Sequence, residues 1–313
     1  MQPKVSIQIP TYNQAAYIKR TIESCLMQDY SNIEINIADD NSTDGSFAII
    51  EPFLKDKRVN YYKNESNIGR VKNYHKALYE YASGEWAINL DGDDYFTEVD
   101  FVSNAIQNIF NYKNDNVLIF QGNHNIKKIA ALLPEHKWIN EENILVNGQQ
   151  YFLHYPEILN FTHCATLYNR RVAMELNFYS FDCLFTDFNS LSKLFLRGSI
   201  ILSSKNVAFW QQHNFNQSAT LDHKKIKAEL AAFDEVSVFA EKYLSVKKAQ
   251  LWNRKMKTFL LSIYVDMQHT PRGKVAGIKY LFLHFSFKKM HLRQLAKAFI
   301  NVTKGKSTKT KDR

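Results

Sequence analysis

Apolar and polar positions alternate at the start of the chain: Val5, Ile7 and Ile9 share one side of a run that stops at Pro10, as in a strand. Asn13 then reads as the N-cap of a helix that carries Ile18, Ile22, Cys25 and Leu26 on one face. Ile33, Ile35 and Ile37 form a second alternating strand that ends at Asp39-Asp40, and Val59 to Lys63 a short third. Gly69 to Ala82 has helical spacing, and Trp86 to Leu90 reads as a strand running into Asp91-Gly92-Asp93-Asp94. Strands alternating with helices predict a mostly parallel sheet covered on both faces, where ligands gather beyond the carboxyl ends of the strands. Two acidic clusters fall at such ends.

Beyond this the pattern predicts a helix over Thr97 to Tyr112, a strand over Val117 to Phe120 and a loop-rich stretch to about Asn160. A helix from Asp187 to Arg197 and a strand from Ile200 to Leu202 follow, and the chain reads as helical from Asp222 nearly to its end. The expected division is an α/β domain over 1–221 and a basic helical extension over 222–313. The last ten or so residues, rich in Lys and Thr, read as disordered.

Charge sharpens this division. The net charge is +9, yet residues 270–313 hold 12 Lys or Arg against the single acid Asp312, so the body is slightly acidic. A basic tail on an acidic body, with no recognition motif, argues against a nucleic-acid-binding protein. Cys25, Cys164 and Cys183 are far apart and form no CxxC pair, which points to a reducing compartment rather than a disulfide framework or zinc knuckle. The N-terminus enters a strand almost at once, and no run of ~18 apolar residues occurs, so neither a signal peptide nor a spanning helix is expected. The expected location is the cytoplasm.

Asp91 and Asp93, two positions apart at a strand end, project into one small volume if the chain turns there. Their repulsion is costly unless a cation or hydrogen-bond donors offset it. Hard ions such as Mg²⁺ or Mn²⁺ suit a few carboxylates together with diphosphate oxygens. The alternative is an acidic, solvated turn. Context decides between them: VSIQIPTYNQAAYI from Val5, IADDNSTDGS from Ile37, NIGRVKNYHKAL from Asn67 and LDGDD from Leu90 fall in order at strand–loop junctions. With these motifs the chain resembles the family-2 glycosyltransferases of the GT-A fold, an α/β Rossmann-like nucleotide-diphospho-sugar transferase architecture. The resemblance covers residues 4–100 and extends to about 220 through FTDFNSLSKLFLRGS and WQQHNFNQSAT.

The resemblance implies a role for each matching residue. Pro10, Thr11, Tyr12 and Asn13 border the nucleotide, Asp40 accepts the base imino N–H and Asp39 precedes it. Asn67, Gly69 and Arg70 open a helix toward the nucleotide. Asp91 and Gly92 lie by the ribose or a metal-bound water, and Asp93 ligates the metal. His213 matches a Tyr-Arg-x-His segment and is a second metal or diphosphate ligand, although Trp210-Gln211 replace Tyr-Arg. Asp187 is the catalytic base, although Thr186 stands where the family has the first acid of a Glu-Asp pair. Glu98 replaces a usual proline and is expected to place a charge in the next helix's first turn. By this resemblance residues 1–120 hold the donor and 121–221 the acceptor. His163 and Cys164 fall in the acceptor half, and Trp138, Tyr151, Phe161 and Trp210 are candidates to stack on sugar rings.

The implied activity is inverting transfer from a UDP- or dTDP-sugar, with Mg²⁺ or Mn²⁺, to a saccharide or lipid-linked saccharide in bacterial surface-polysaccharide synthesis. The alternative, prompted by Thr186, is a degenerate sugar-nucleotide-binding scaffold. In the tail, Ile278, Leu281, Phe282, Phe285, Leu292, Leu295, Ala296 and Phe299 recur at helical spacing beside Lys288, Lys289, Arg293 and Lys297. Such a helix fits peripheral contact with the inner face of the cell membrane, or packing on the body or in a homodimer.

Overall fold

The computed structural model describes residues 2–159, 163–213 and 223–266. The strands are β1 (Val5–Thr11), β2 (Ile33–Asp39), β3 (Val59–Lys63), β4 (Trp86–Asn89), β5 (Tyr95–Phe96), β6 (Val117–Gln121), β7 (Lys137–Trp138), β8 (Asn143–Asn147), β9 (Thr166–Asn169), β10 (Ser199–Ser203) and β11 (Ala208–Phe209). The α-helices are α1 (Ile18–Leu26), α2 (Ser46–Ile50), α3 (Arg70–Lys76), α4 (Phe101–Asn111), α5 (Ile126–Leu132), α6 (Gly148–Ile158), α7 (Arg170–Glu175), α8 (Thr186–Phe195), α9 (His223–Ala240) and α10 (Val246–Asp266).

Among the described residues, nine strands form one sheet in the order β3-β2-β1-β4-β9-β6-β10-β8-β7, and β5 pairs with β11 apart from it. The pairings β1–β2, β1–β4, β2–β3 and β6–β10 are parallel. β9 is antiparallel to both neighbours, and β8 is antiparallel to β10 and β7. The sheet is therefore mostly parallel, with β9 and β8 reversed. All residues of β1 and β2 are buried, because helices cover both faces and even the polar side of the alternation lies inside.

Two apolar cores flank the sheet. One gathers Ile7, Ile9, Ile18, Ile22, Ile35, Ile37, Ile50, Ile88 and Val102 beneath α1, α2 and α4. The other gathers Tyr74, Leu118, Ile129, Phe152, Val172, Phe188 and Leu191 with Ile226, Phe233, Trp252 and Leu260 of α9 and α10. The described part of the extension thus shares the body's core. The remainder of the tail, with its apolar and basic face, lies outside the described residues.

The structure corrects several expected elements. β1 continues through Pro10 to Thr11, pairing Pro10 with Ala38 and Thr11 with Asp39. Asn13 does not cap α1: it sits at φ 53 and its Oδ1 accepts from Thr43 N at 2.9 Å. α4 starts only at Phe101, because Thr97 is tied to the segment that leads into β11, its N–H donating to Val207 O at 3.0 Å and its hydroxyl to Asn206 O at 2.6 Å. Glu98 accordingly lies outside the helix and faces Lys205 at 3.8 Å. The stretch to Asn160 is no long loop but holds α5, β7, β8 and α6. Tyr151 is fully buried in the core and cannot stack on a sugar, and Trp138 lies on the edge strand β7 against His136. Phe161 lies outside the described residues.

Candidate active site

The motifs meet where β1, β2 and β4 end side by side. Backbone hydrogen bonds lock these ends together: Asp40 N donates to Thr11 O at 2.9 Å, Leu90 N to Gln8 O at 2.9 Å and Gly92 N to Pro10 O at 3.1 Å. The acidic turn is tight, with Asp94 N donating to Asp91 O at 2.9 Å. The Thr21 hydroxyl braces it from α1, donating to Asp94 O at 2.6 Å with Gly92 O 3.0 Å away. Gly92 is required by crowding, since a Cβ there would lie 2.7 Å from Thr11 Oγ1.

The two acids ending β2 organise the loops. Asp39 accepts from Ser42 N at 2.8 Å and from the Tyr61 hydroxyl at 2.6 Å. Asp40 accepts from Ile68 N at 2.8 Å, Gly69 N at 2.9 Å and Asn64 Nδ2 at 3.0 Å. Gly69 adopts φ 89, the left-handed side that favours glycine, which turns both N–H groups toward Asp40. Both oxygens of the carboxylate assigned to the base are thus bonded to the 64–69 loop. Asn67 is exposed on that loop, Tyr12 is 48 % exposed above β1, and Asn13 N donates to Ser42 Oγ at 2.9 Å. Arg70 does not face the loop's mouth. Its Nη2 crosses to the carbonyls of Cys183 and Leu184 at 3.0 and 2.7 Å, with the guanidinium 5.2 Å from the Tyr74 ring centre.

The reversed strand β9 brings in the residue that joins the rest. Its antiparallel pairing with β4 sets its start beside the end of β4, and His163 opens the 3₁₀ turn leading into it. His163 Nδ1 lies 2.8 Å from Asp187 Oδ2 on the first turn of α8, and its Nε2 lies 3.3 Å from Asp91 Oδ2. Tyr74 donates to Asp91 from the far side, 2.6 and 2.7 Å from its two oxygens. Burial opposes the charge on His163, but Asp91 and Asp187 outweigh it and hold its pKa well above the ordinary value. Burial would likewise raise Asp187 and Asp91, yet His163 and Arg70 hold both below the usual carboxylate range, with Tyr74 helping at Asp91.

Asp93 and His213 form a second pair, Oδ2 to Nε2 at 2.8 Å, with the His213 ring stacked on Tyr17. Burial and then the charge of Asp91 raise the Asp93 pKa, and the same two causes push Asp94 up to about 8. Asp94 Oδ1 accepts from Gln211 N at 2.9 Å, while its buried Oδ2 has no hydrogen bond among the described residues. One ligand atom each from Asp91, Asp94 and His163 lie within 4.8 Å of one another. This density of carboxylates, with one oxygen left unsatisfied in a buried place, fits a hard divalent cation. Trp210 stands at the rim, 42 % exposed.

Asp91, Asp93, Asp187 and His213 meet here, where the motifs lead them to be expected, and His163, expected only in the acceptor half, joins them. Tyr74, one helical turn after Arg70 within the quoted motif, and Asp94, through Gln211, join the cluster without a signal of their own in the sequence.

Comparison with known proteins identifies the family and the fold. The profile of glycosyl transferase family 2 matches residues 6–176. The GalNAc(5)-diNAcBac-PP-undecaprenol beta-1,3-glucosyltransferase of Campylobacter jejuni is 31 % identical over 135 residues, 42 % of this chain and 42 % of that protein. The UDP-Glc:alpha-D-GlcNAc-diphosphoundecaprenol beta-1,3-glucosyltransferase WfaP of Escherichia coli is 42 % identical over 102 residues, 33 % of this chain and 39 % of that protein. The matches span about two-fifths of the length of these curated relatives. In fold, the chain is similar to S. aureus TarS 1–349 in complex with UDP-GlcNAc, with TM-score 0.61 and 18 % identity over 96 % of this chain and 81 % of that one. It is also similar to the mannosyltransferase PcManGT of Pyrobaculum calidifontis in complex with GDP-Man and Mn²⁺, with TM-score 0.59 and 14 % identity over 98 % and 89 %.

Proposed function

The chain belongs to glycosyl transferase family 2, and from that premise we propose that it is an inverting glycosyltransferase acting on a UDP- or dTDP-sugar. The observation that carries this reading is His163, which holds Asp187 on one nitrogen and faces Asp91 with the other. It couples the acid expected beside the donor to the acid expected to activate the acceptor.

In this reading the β1 and β2 loops, with Thr11, Tyr12, Asn13 and Asp39, cradle the nucleoside, and Asp40 keeps the Asn67–Arg70 loop in place beside it. Asp93 and His213 would hold a Mg²⁺ or Mn²⁺ ion, with Asp91 and Asp94 close by. Bound there, the ion supplies neutralising charge for a departing diphosphate. Asp187, ionised at neutral pH, takes the proton of the acceptor hydroxyl as that oxygen attacks the anomeric carbon from the side opposite the leaving group. His163 keeps the Asp187 carboxylate turned toward the reacting centre. Low pKa values at Asp187 and Asp91 support ionised forms ready before substrate arrives. Arg70 serves the base-bearing loop rather than the nucleotide.

The acceptor is a saccharide carried on a lipid diphosphate, as the names of two relatives state for those proteins, and the setting is surface-polysaccharide assembly. Among the described residues no helix is long and apolar enough to cross a membrane. A screen of UDP-, dTDP- and GDP-sugars, reading nucleoside diphosphate release with Mn²⁺ or with chelator, tests the proposal. Release from one donor class that stops in chelator is expected. Tight UDP binding without any release would instead favour a sugar-nucleotide-binding scaffold, the reading that Thr186 in place of a first acid suggests.

A further inference from the structure

The segment that carries Asp187 is gripped from two sides. From the donor half, Arg70 binds the carbonyls of Cys183 and Leu184. From α9, Glu229 accepts from Phe185 N at 2.9 Å and from Asn189 Nδ2 at 2.5 Å. Phe185 is two residues before Asp187 and Asn189 two after, so Glu229 brackets the acid on its own helix start. Phe185 N lies at the N-cap position of α8, among the donors a helix leaves unpaired at its start. An anion there also meets the positive end of the helix dipole.

Glu229 is 0 % exposed, and burial raises its pKa. A carboxylate kept so far from water needs hydrogen bonds to offset its desolvation, and neutral donors of α8 supply them. Its helix is held firmly: Ile226, Leu230 and Phe233 of α9 lie in one core with Phe188 and Leu191 of α8. Thr186, by contrast, brings no charge to this helix start, and its buried Oγ1 has no hydrogen bond among the described residues.

We propose that Glu229 is a positioning residue for Asp187, which makes the C-terminal helices part of the transfer machinery. Glu229 touches no substrate; it acts by fixing the first turn of α8, so that the Asp187 carboxylate meets the acceptor hydroxyl in line. The inference rests on the transferase reading above. Misplacing a reacting group by about 1 Å costs up to ~10²-fold in rate, whereas the Glu229 hydrogen bonds run to Phe185 and Asn189 and not to the β1, β2 and β4 loops that hold the donor in this reading.

The test uses the full chain, the donor that the wild type consumes in the screen, and calorimetric binding of UDP with Mn²⁺. Glu229→Ala is expected to lower kcat by ~10–100-fold while KM for the donor and UDP affinity hold within about two-fold. Glu229→Gln is expected to recover most of the loss. Its carbonyl can still accept from Phe185, and the Asn189 amide can turn over, since Asn189 Oδ1 has no hydrogen bond among the described residues. Wild-type turnover in Glu229→Ala overturns the inference, as does a parallel loss of UDP binding and turnover that glutamine does not repair. Should the alanine variant not fold, Asn189→Ala removes one of the two Glu229 contacts, together with the Asn189 Nδ2 contact to Cys183 Sγ at 3.4 Å. A kcat drop of about 3–10-fold with intact UDP binding then supports the inference, and unchanged kcat overturns it. A wild type that consumes no donor sinks the transferase reading and this inference together, whereas an active wild type with an unaffected Glu229→Ala sinks this inference alone.

Discussion

Single side chains set both the chemistry and part of the stability. Asp187→Asn keeps shape and the first turn of α8 but removes the proposed base, so turnover should fall by ~10²–10⁴-fold while calorimetric binding of UDP with Mn²⁺ is kept. Near-normal turnover would remove Asp187 from the mechanism. Away from this site, Glu34 on β2 binds Ser6 Oγ at 2.5 Å, Ser83 N at 2.6 Å and Lys4 Nζ at 2.5 Å. Burial raises its pKa, but these partners outweigh it and lower it from 4.5 to about 2. A depressed pKa means that the folded form gains from the ionised group. That gain is complete above the ordinary value of 4.5 and disappears as pH falls through about 2. Glu34→Gln should cost about 1–3 kcal/mol near pH 7 and far less near pH 2. Urea melts at the two pH values check this, and an equal cost at both would contradict it.

At the scale of elements, the parallel first half was readable, as were α8, β10 and the start of α9, whereas the stretch from Gln121 to Asn160 was not, for physical reasons. β1, β2 and β4 are short, apolar and bounded by turn residues, and their ends carry the motifs. The Val59–Lys63 strand matches residue for residue. From Gln121 to Asn160 the signals are weak: α5 has seven residues, β7 two exposed ones, and α6 contains Pro156. Tertiary pairing makes these elements, as where β8 gains its place by pairing with β10, more than fifty residues away. The site shows the same divide. Asp91, Asp93 and Asp187 announce themselves by sequence motif, while Tyr74, His163 and Glu229 gain their contacts only from which elements become neighbours. Gly92 tests how tightly two such elements close. Gly92→Ala puts a methyl against Thr11, 2.7 Å from its Oγ1 and 2.9 Å from its Cβ. It should destabilise by about 1–3 kcal/mol and weaken UDP binding, measured by melting and calorimetry. Unchanged UDP affinity would separate the β1 loop from the donor site.

Across the whole molecule, α9 and α10 are structural members of the body. Trp252 of α10 is 1 % exposed and stacks on Phe152 of α6 at 4.3 Å between ring centres. Trp252→Ala should cost about 3–5 kcal/mol and keep a single melting transition, whereas Leu251→Ala on the outer side should change stability by less than about 0.5 kcal/mol. Two separate transitions would show that the helices fold apart from the sheet. The boundary expected at residue 221 rests on a change in charge and periodicity, and neither property reports which apolar face a helix buries.

The late strand β9 sits between β4 and β6, both of which precede it in the chain. During synthesis, a ribosome that has released the chain only through Gln121 leaves the facing edges of β4 and β6 unpaired, open to pairing with other chains. Only the emergence of Thr166–Asn169 joins them, and the same four residues then bring His163 to its partners.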